Sequence, residues 1–580
     1  MKKLKNMEES DFLKLFFAFF SLFFLAGAVC MPDRARMFSG MAQILSQPCK
    51  IPTNYFSVGG FSATLLNMGL VSLMCLGLYV VLGAKMDATA TMAVILTVGF
   101  GSWGINIQNI WPTIWGAMLY CAVKKKPLKN HVSAMLFTTG IAPLVTDILI
   151  RHPVNGVIGY SWPRLILAVL VGLVSGFFVP AGLSHSPNVH KGYNLYNAAL
   201  PVGMGAFILQ AILFETLGVD LPSAPDAETL KVTSKVIANS YWLLLCGTCV
   251  LGAALMGCTP KKYWGLLNSP ERVASVSHTL GNDVFLMNFG VFGLFILGYY
   301  NLVGARFSGP TFGVMFCMLS TCNSGSHPKN AWPMLLGYIV AVPVCRWICA
   351  YMGTPFAYHI NAQAILIGAC YTNGMTPIVD RYGTGVGFLA GVLHFLLVTS
   401  VPMLHGGFCL YNGGLTAAFI CLILMPTAEE LIPTRERRRM KRLEKKSYAF
   451  LPPRPRRGGI SPSPTGKVAG PKALTDEGKQ SKMRNGHDEP MNRMGGTKGG
   501  SSGGGPSSVP GCARSTFPEG EGFLRRGPYT RQGFALPPSP RRGLLRFLRF
   551  SKESRHPIDG TYNGCYSIRI STLHTHRKGG

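Results

Sequence analysis

Three short polar patterns, each written twice, carry nearly all the chemistry this chain offers. Asn-x-Trp-Pro stands at 109–112 and again at 330–333. Pro-x-x-His-x-Gly-x-x-Leu-Tyr-Asn stands at 187–197 and at 402–412, and Thr-x-Gly-x-x-Pro at 138–143 and 372–377. These residue types recognise by hydrogen bonding rather than by bond cleavage. An asparagine amide offers two donors and an acceptor without charge, so it can orient a neutral polar solute without the cost of burying an ion. On that ground Asn109, Asn197, Asn330, Asn412, Thr139 and Asn373 are the predicted solute-binding residues, with Trp111, Trp332, Tyr196 and Tyr411 as flat apolar walls. His190 and His405 are candidate gates or pH-sensitive groups.

Each of these residues also has a plainer role open to it. Proline near the start of a helix leaves an asparagine beside it free to cap that helix, and tryptophan favours the membrane interface. Asn197 and Asn412 can bond across helices, and Thr139 and Asn373 can repair the hydrogen bonds of a kink.

The patterns belong to a duplication. Asn67, Gly69, Gly83, Ala84, Lys85, Asn109, Trp111, Pro112 and Gly116 return 221 residues later as Asn288, Gly290, Gly304, Ala305, Arg306, Asn330, Trp332, Pro333 and Gly337. The threonine–glycine element recurs at an offset of 234 and the histidine–asparagine element at 215. Two glycine-, serine- and asparagine-rich stretches, 99–112 and 320–333, interrupt apolar regions at matching places. In a bilayer every backbone N–H and C=O must be paired within the protein, so a broken helix survives only where protein or a watery cavity satisfies the freed groups. Breaks at corresponding places in two halves are the usual mark of a transport site.

The elements that must hold these residues are membrane helices. The chain has 580 residues, 48% of them hydrophobic and only 14% charged, against roughly 25% charged in soluble domains. Fourteen apolar runs span, or nearly span, about 30 Å of hydrocarbon. The net charge of +30 is concentrated at the end: residues 434–580 hold 31 of the 55 basic and 10 of the 25 acidic residues. The first 433 are therefore only mildly basic, and nucleic acid is excluded as the reason for the charge. Fourteen of the 16 cysteines precede residue 434, most inside apolar runs, where a thiol packs as a small hydrophobe.

Threading fourteen crossings with the amino terminus in the cytoplasm puts Lys124–Lys126, Lys261, Lys262 and the run from Arg435 there too, in accord with the positive-inside rule. The predicted organisation is an amino-terminal membrane helix with its connection (1–59), a first repeat (60–215), a linker holding a helix at 238–257 (216–282), a second repeat (283–433), and a disordered, basic Gly/Pro/Ser/Arg-rich tail (434–580). The fold class predicted is an all-α polytopic membrane protein of two inverted repeats with broken or re-entrant helices. Lys2, Lys3 and Lys5 before a Phe-rich run have the form of a secretory signal, but Glu8, Glu9 and Asp11 favour a retained first helix.

Acidic residues inside the spans are scarce. Asp147 and Asp380 are the candidates for coupling to an ion gradient, since ion-driven carriers place carboxylates at membrane depth. No phosphate loop, serine elbow or metal-ligand spacing is present, so neither an enzyme nor a cofactor is expected.

The paired Asn-x-Trp-Pro and His-x-Gly-x-x-Leu-Tyr-Asn elements resemble an uncharacterised bacterial multi-pass membrane family, a domain of unknown function of the DUF1576 kind. That resemblance implies a bacterial inner membrane and no activity. Tyr196-Asn197-Ala198 and Tyr411-Asn412-Gly413 are more distantly similar to urea transporters, whose inverted halves enclose a pore for a neutral amide. The expectation is a channel or facilitator for a small polar, neutral solute, with the lipid bilayer as surroundings and homo-oligomers compatible with the sequence. An ion-coupled transporter using Asp147 or Asp380, and a membrane receptor or scaffold, are the alternatives.

Overall fold

The computed structural model describes residues 2–47, 53–150, 160–216, 234–269 and 272–449, and all secondary structure among them is helical. Fourteen segments match the fourteen apolar runs. The first seven are α1 (Glu9–Cys30), α2 (Gly60–Val81), α3 (Ala88–Phe100), α4 (Trp111–Val123), α5 (Val132–Ile150, with a 3₁₀ turn at Thr139–Ile141), α6 (Trp162–His190) and α7 (Ala199–Gln210). The second seven are α8 (Lys235–Leu255), α9 (Asn282–Leu302), α10 (Gly309–Leu319), α11 (Pro328–Tyr351), α12 (Gln363–Tyr371 and Thr376–Tyr382 around a 3₁₀ turn), α13 (Thr384–Val398) and α14 (Asn412–Leu431). Eight helices among the described residues are long and apolar enough to cross a membrane; the others are short or interrupted.

Local chemistry sets the boundaries. Asp87 caps α3 through the Ala90 N–H, and Ser308 with Thr311 forms a capping box on α10. Prolines 112, 310, 328 and 377 occupy first turns, where a missing N–H costs nothing. The repeated Gly-Ala after α2 and α9 closes both helices alike: Gly83 and Gly304 take left-handed φ of 61° and 65°, and Ala84 and Ala305 each donate at 2.8 Å to the carbonyls of Tyr79 and Tyr300.

Packing repeats as the sequence does. The most extensive pair is α4 with α6, followed by α1 with α2 and α8 with α9, then α11 with α13. Gly69 lies against Leu25, side chain first, as Gly290 lies against Val250 and the Cys246 carbonyl. Ser21 donates to Ser72 at 2.7 Å where, 221 residues on, Trp242 donates to the Gly293 carbonyl at 2.8 Å. The helix at 238–257, predicted to be a linker, thus holds to the second half as α1 holds to the first. α1 itself is built into the core through Phe16, Phe17, Phe20 and Phe24, with Phe16 edge-on to Phe285 and Phe289.

At the centre α3 and α10 cross in opposite directions. Asn323, just past the end of α10, donates to Thr91 near the start of α3 at 3.1 Å, and Ser102, just past the end of α3, donates to the Gly309 carbonyl at the start of α10 at 2.7 Å. Gly99 and Gly313 let the two backbones touch, since a Cβ on either would strike the other's carbonyl.

The basic loops gather on the face that carries the amino terminus. Lys5 and Lys262 pair with Asp283 at 3.5 and 2.5 Å, Lys85 with Glu8 at 3.0 Å, Lys191 with Glu429 at 2.5 Å, and Lys85 and Lys129 line one surface cleft. One departure lies at the tail, where Arg435–Ala449 forms a helix, α15, in place of the predicted lack of structure; Arg, Lys and Glu are strong helix formers. The rest of the predicted tail, 450–580, and linker residues 217–233 lie outside the described residues.

Candidate functional site

Both breaks are held by the same pair of asparagines in each half. Asn67 donates to the carbonyls of Gly101 and Ile105 at 2.7 and 2.9 Å, and Asn288 donates to those of Cys322 and Ser326 at 2.9 and 2.8 Å. Asn109 accepts from the Asn106 N–H and donates to the Gly104 carbonyl at 2.9 Å and to Thr146 at 2.7 Å. Asn330 accepts from the His327 N–H and donates to the Gly325 carbonyl at 3.0 Å and to Asp380 at 3.1 Å. The freed backbone of each broken helix is thereby paired inside the protein, as membrane depth demands. Asn109 and Asn330 are 2% exposed and act as caps, their amides committed to the fold.

The two crossover loops exchange sides. The Leu195 N–H donates to the Gly374 carbonyl of the second half, and the Leu410 N–H to the Gly140 carbonyl of the first, each at 2.9 Å. Glycine is needed at both receiving positions, because a Cβ on Gly374 would overlap the Tyr196 ring and one on Gly140 the Tyr411 ring. Tyr196 donates to the Cys317 carbonyl at 2.9 Å and meets Tyr371 edge-on at 5.2 Å; Tyr411 meets Phe100 edge-on at 5.1 Å. Thr139 bonds back to the Leu136 carbonyl at 2.6 Å, and its counterpart Asn373 bonds to the Met318 carbonyl at 2.9 Å and to Thr321.

A cavity of about 200 Å³ opens beside the α3–α10 crossing, toward the amino-terminal face. Thr89 and Met92 of α3, Phe137 of α5 and Leu195 and Asn197 of the first crossover line it from the first half; Ser324 of the second break, with Arg272 and Ala274 of the connection between halves, line it from the other side. The counterpart place on the far face is filled. There Trp103 stands for Ser324 and Tyr371 for Phe137, both fully buried, and Tyr371 seals to the Leu410 carbonyl at 2.7 Å.

The paired histidines differ in the same sense. His405 is bonded to Asn412 at 2.9 Å, and Asn412 also donates to the Val398 carbonyl at 3.3 Å. His190 faces Asn197 likewise, but its buried Nε2 lacks a well-formed partner and Asn197 is only half-buried. Of the predicted solute-binding residues, Asn197 alone lines this cavity. Trp111 stacks on Trp115, and Trp332 is 41% exposed on the outside of α11; neither reaches the cavity.

Arg272 and Asp380 form the charged element. The guanidinium meets the Asp380 carboxylate at 3.2 Å and donates to the Ser324 carbonyl. The residue matched to Asp380 in fold and in register is Thr146, not Asp147, which is buried one position further on. Arg272 escaped sequence reasoning because it sits in the connection, where no repeat marks it. The one available signal was an arginine beside Glu271 in a chain so poor in charge. A larger cleft of about 470 Å³, lined by Lys85, Asp87, Lys129 and Asn130, is a surface groove of the first half alone and holds none of the predicted solute-binding residues.

The family model described as "Protein of unknown function (DUF1576)" matches residues 33–215 and 260–430. No curated protein and no solved structure matches the chain.

Proposed function

We propose, for a chain that belongs to the DUF1576 family of proteins of unknown function, that it carries a small polar solute of no net charge across the bilayer through a site between two inverted repeats. The repeats are α1–α7 and α8–α14. Seven segments is an odd number, so a chain that crosses with each of them enters its second copy from the opposite side. The antiparallel crossing of α3 and α10 supports this, as does the mutual exchange of crossover loops.

The observation that carries the proposal is the unequal pair of places at the crossing: a cavity lined by both halves on one side, and its counterpart packed shut on the other. Inverted repeats can trade these two conformations, which is how alternating access moves a solute past a fixed site. Arg272 against Asp380 leaves the lining without net charge, in keeping with a solute of none. The basic loops on the amino-terminal face fit a cytoplasmic location for that face, in a bacterial inner membrane.

Flux in proteoliposomes tests the proposal. Entry of small polar solutes is expected from wild type, and the double change Asn197→Ala with Asn412→Ala is expected to abolish it while folded protein remains. Accumulation driven only by an imposed pH or sodium gradient would favour the ion-coupled alternative, for which the half-buried Arg272–Asp380 pair is the supporting feature. Absence of any flux would favour a receptor or scaffold.

A further inference from the structure

We infer that α15 is a binding surface for anionic lipid headgroups, a role independent of the solute site. Arg435–Ala449 carries eight basic and two acidic residues. Only residues 432–434 part it from the end of α14, and three residues reach at most about 10 Å. The helix therefore starts at or just beyond the headgroup layer, which is roughly 6 Å thick in each leaflet, on the face where Lys191 pairs with Glu429. A topology anchor needs the charge of such a run and no particular shape. This run has a shape.

Two of its arginines are spent on the protein. Arg438 donates through Nη2 to the Tyr382 carbonyl at the end of α12, and the Arg435 stem lies beside Gly383 with its charge within reach of Asp380. Three residues apart, they share one side of the helix and turn it toward α12. Met440 and Leu443, also three residues apart, lie away from that side and are 54% and 52% exposed. At about 100° per residue, Arg437 and Lys441 flank this apolar pair on one side and Arg439 on the other, all of them exposed. Glu436 sits in the first turn, where a carboxylate suits the helix dipole. An exposed apolar pair between basic flanks is the form of a helix that lies in the interface, its apolar side chains at the acyl boundary and its cations on phosphate. Nucleic acid would satisfy the cations but leave Met440 and Leu443 without a partner, so the charge and the apolar pair together select an anionic lipid.

A reporter on the apolar side tests the assignment. The full-length protein, with Cys30, Cys49, Cys345, Cys349, Cys512 and Cys565 changed to Ser and bimane attached at Met440→Cys, is reconstituted into vesicles of phosphatidylcholine alone or of phosphatidylcholine mixed with phosphatidylglycerol. Emission is expected at shorter wavelength in the mixed vesicles. The difference should vanish on raising salt from about 0.15 M to about 1 M, where the screening length falls from about 8 Å to about 3 Å. Arg437→Gln with Arg439→Gln and Lys441→Gln keeps the helix propensity and both docking arginines, and is expected to abolish the difference. Arg435→Gln with Arg438→Gln removes the docking and is expected to retain it. Equal emission in the two kinds of vesicle with all the basic residues in place overturns the assignment, and so does a difference that survives the triple change. A shift produced by added polyuridylate and not by phosphatidylglycerol overturns it in favour of nucleic acid.

Discussion

At the residue scale the polar groups divide by what remains of their bonding capacity. Asn67 and Asn288 spend theirs on two carbonyls of a broken helix, each carbonyl buried where water cannot replace the lost partner. Asn67→Ala or Asn288→Ala is expected to lower unfolding stability in detergent by on the order of 2 kcal/mol or more, the cost of orphaned buried acceptors, read as a shift in denaturation midpoint. Asn197 and Asn412 part company in the same way. Asn412→Ala breaks bonds to His405 and Val398 and should lower the midpoint, whereas Asn197→Ala removes a half-buried amide and should cut flux with the midpoint nearly unchanged. An equal loss of stability in both would contradict the asymmetry of the two sides. The sequence made these residues conspicuous but left Asn109 and Asn330 open between cap and ligand. Which role an amide takes depends on how the break itself folds, which here brings a carbonyl five residues back to about 3 Å.

At the scale of elements the duplication was legible because helix ends and breaks are written in glycine, proline and asparagine. Close crossings were legible only in part. Gly176 lies on the Thr113 backbone and Gly391 on that of Met334, matched contacts that fix α4 against α6 and α11 against α13. Gly77 and Gly298 are equally well repeated, yet a Cβ on either meets nothing within 4 Å. Repetition alone therefore does not tell a packing glycine from an idle one. Gly176→Leu or Gly391→Leu should cost about 3 kcal/mol or more, since a backbone cannot yield as a side chain does. Gly77→Ala and Gly298→Ala should be neutral or stabilising by up to about 1 kcal/mol, as expected for alanine replacing glycine inside a helix. Thermal unfolding of the four variants side by side checks both statements.

At the scale of the whole molecule the site exists only if the copies face opposite ways. Hydropathy and basic loops predicted that arrangement by counting crossings; they could not predict that the Leu195 and Leu410 loops dock into each other's halves, because such contacts join residues some 180 and 270 positions apart. The matched ends of α4 and α11 make the geometry testable. α4 runs into Lys124 beside the amino-terminal basic loops, and α11, its counterpart, ends at Tyr351 with Met352 exposed. With Cys30, Cys49, Cys345, Cys349, Cys512 and Cys565 changed to Ser, an added cysteine at Lys124→Cys or Met352→Cys should react with a membrane-impermeant maleimide from opposite sides, Met352→Cys in right-side-out vesicles and Lys124→Cys in inverted ones. Labelling of both from one side would mean parallel copies. The α3–α10 crossing could then not be an axis of exchange between two equivalent conformations, and a cavity open on one face would be a fixed pocket rather than half of a transport cycle.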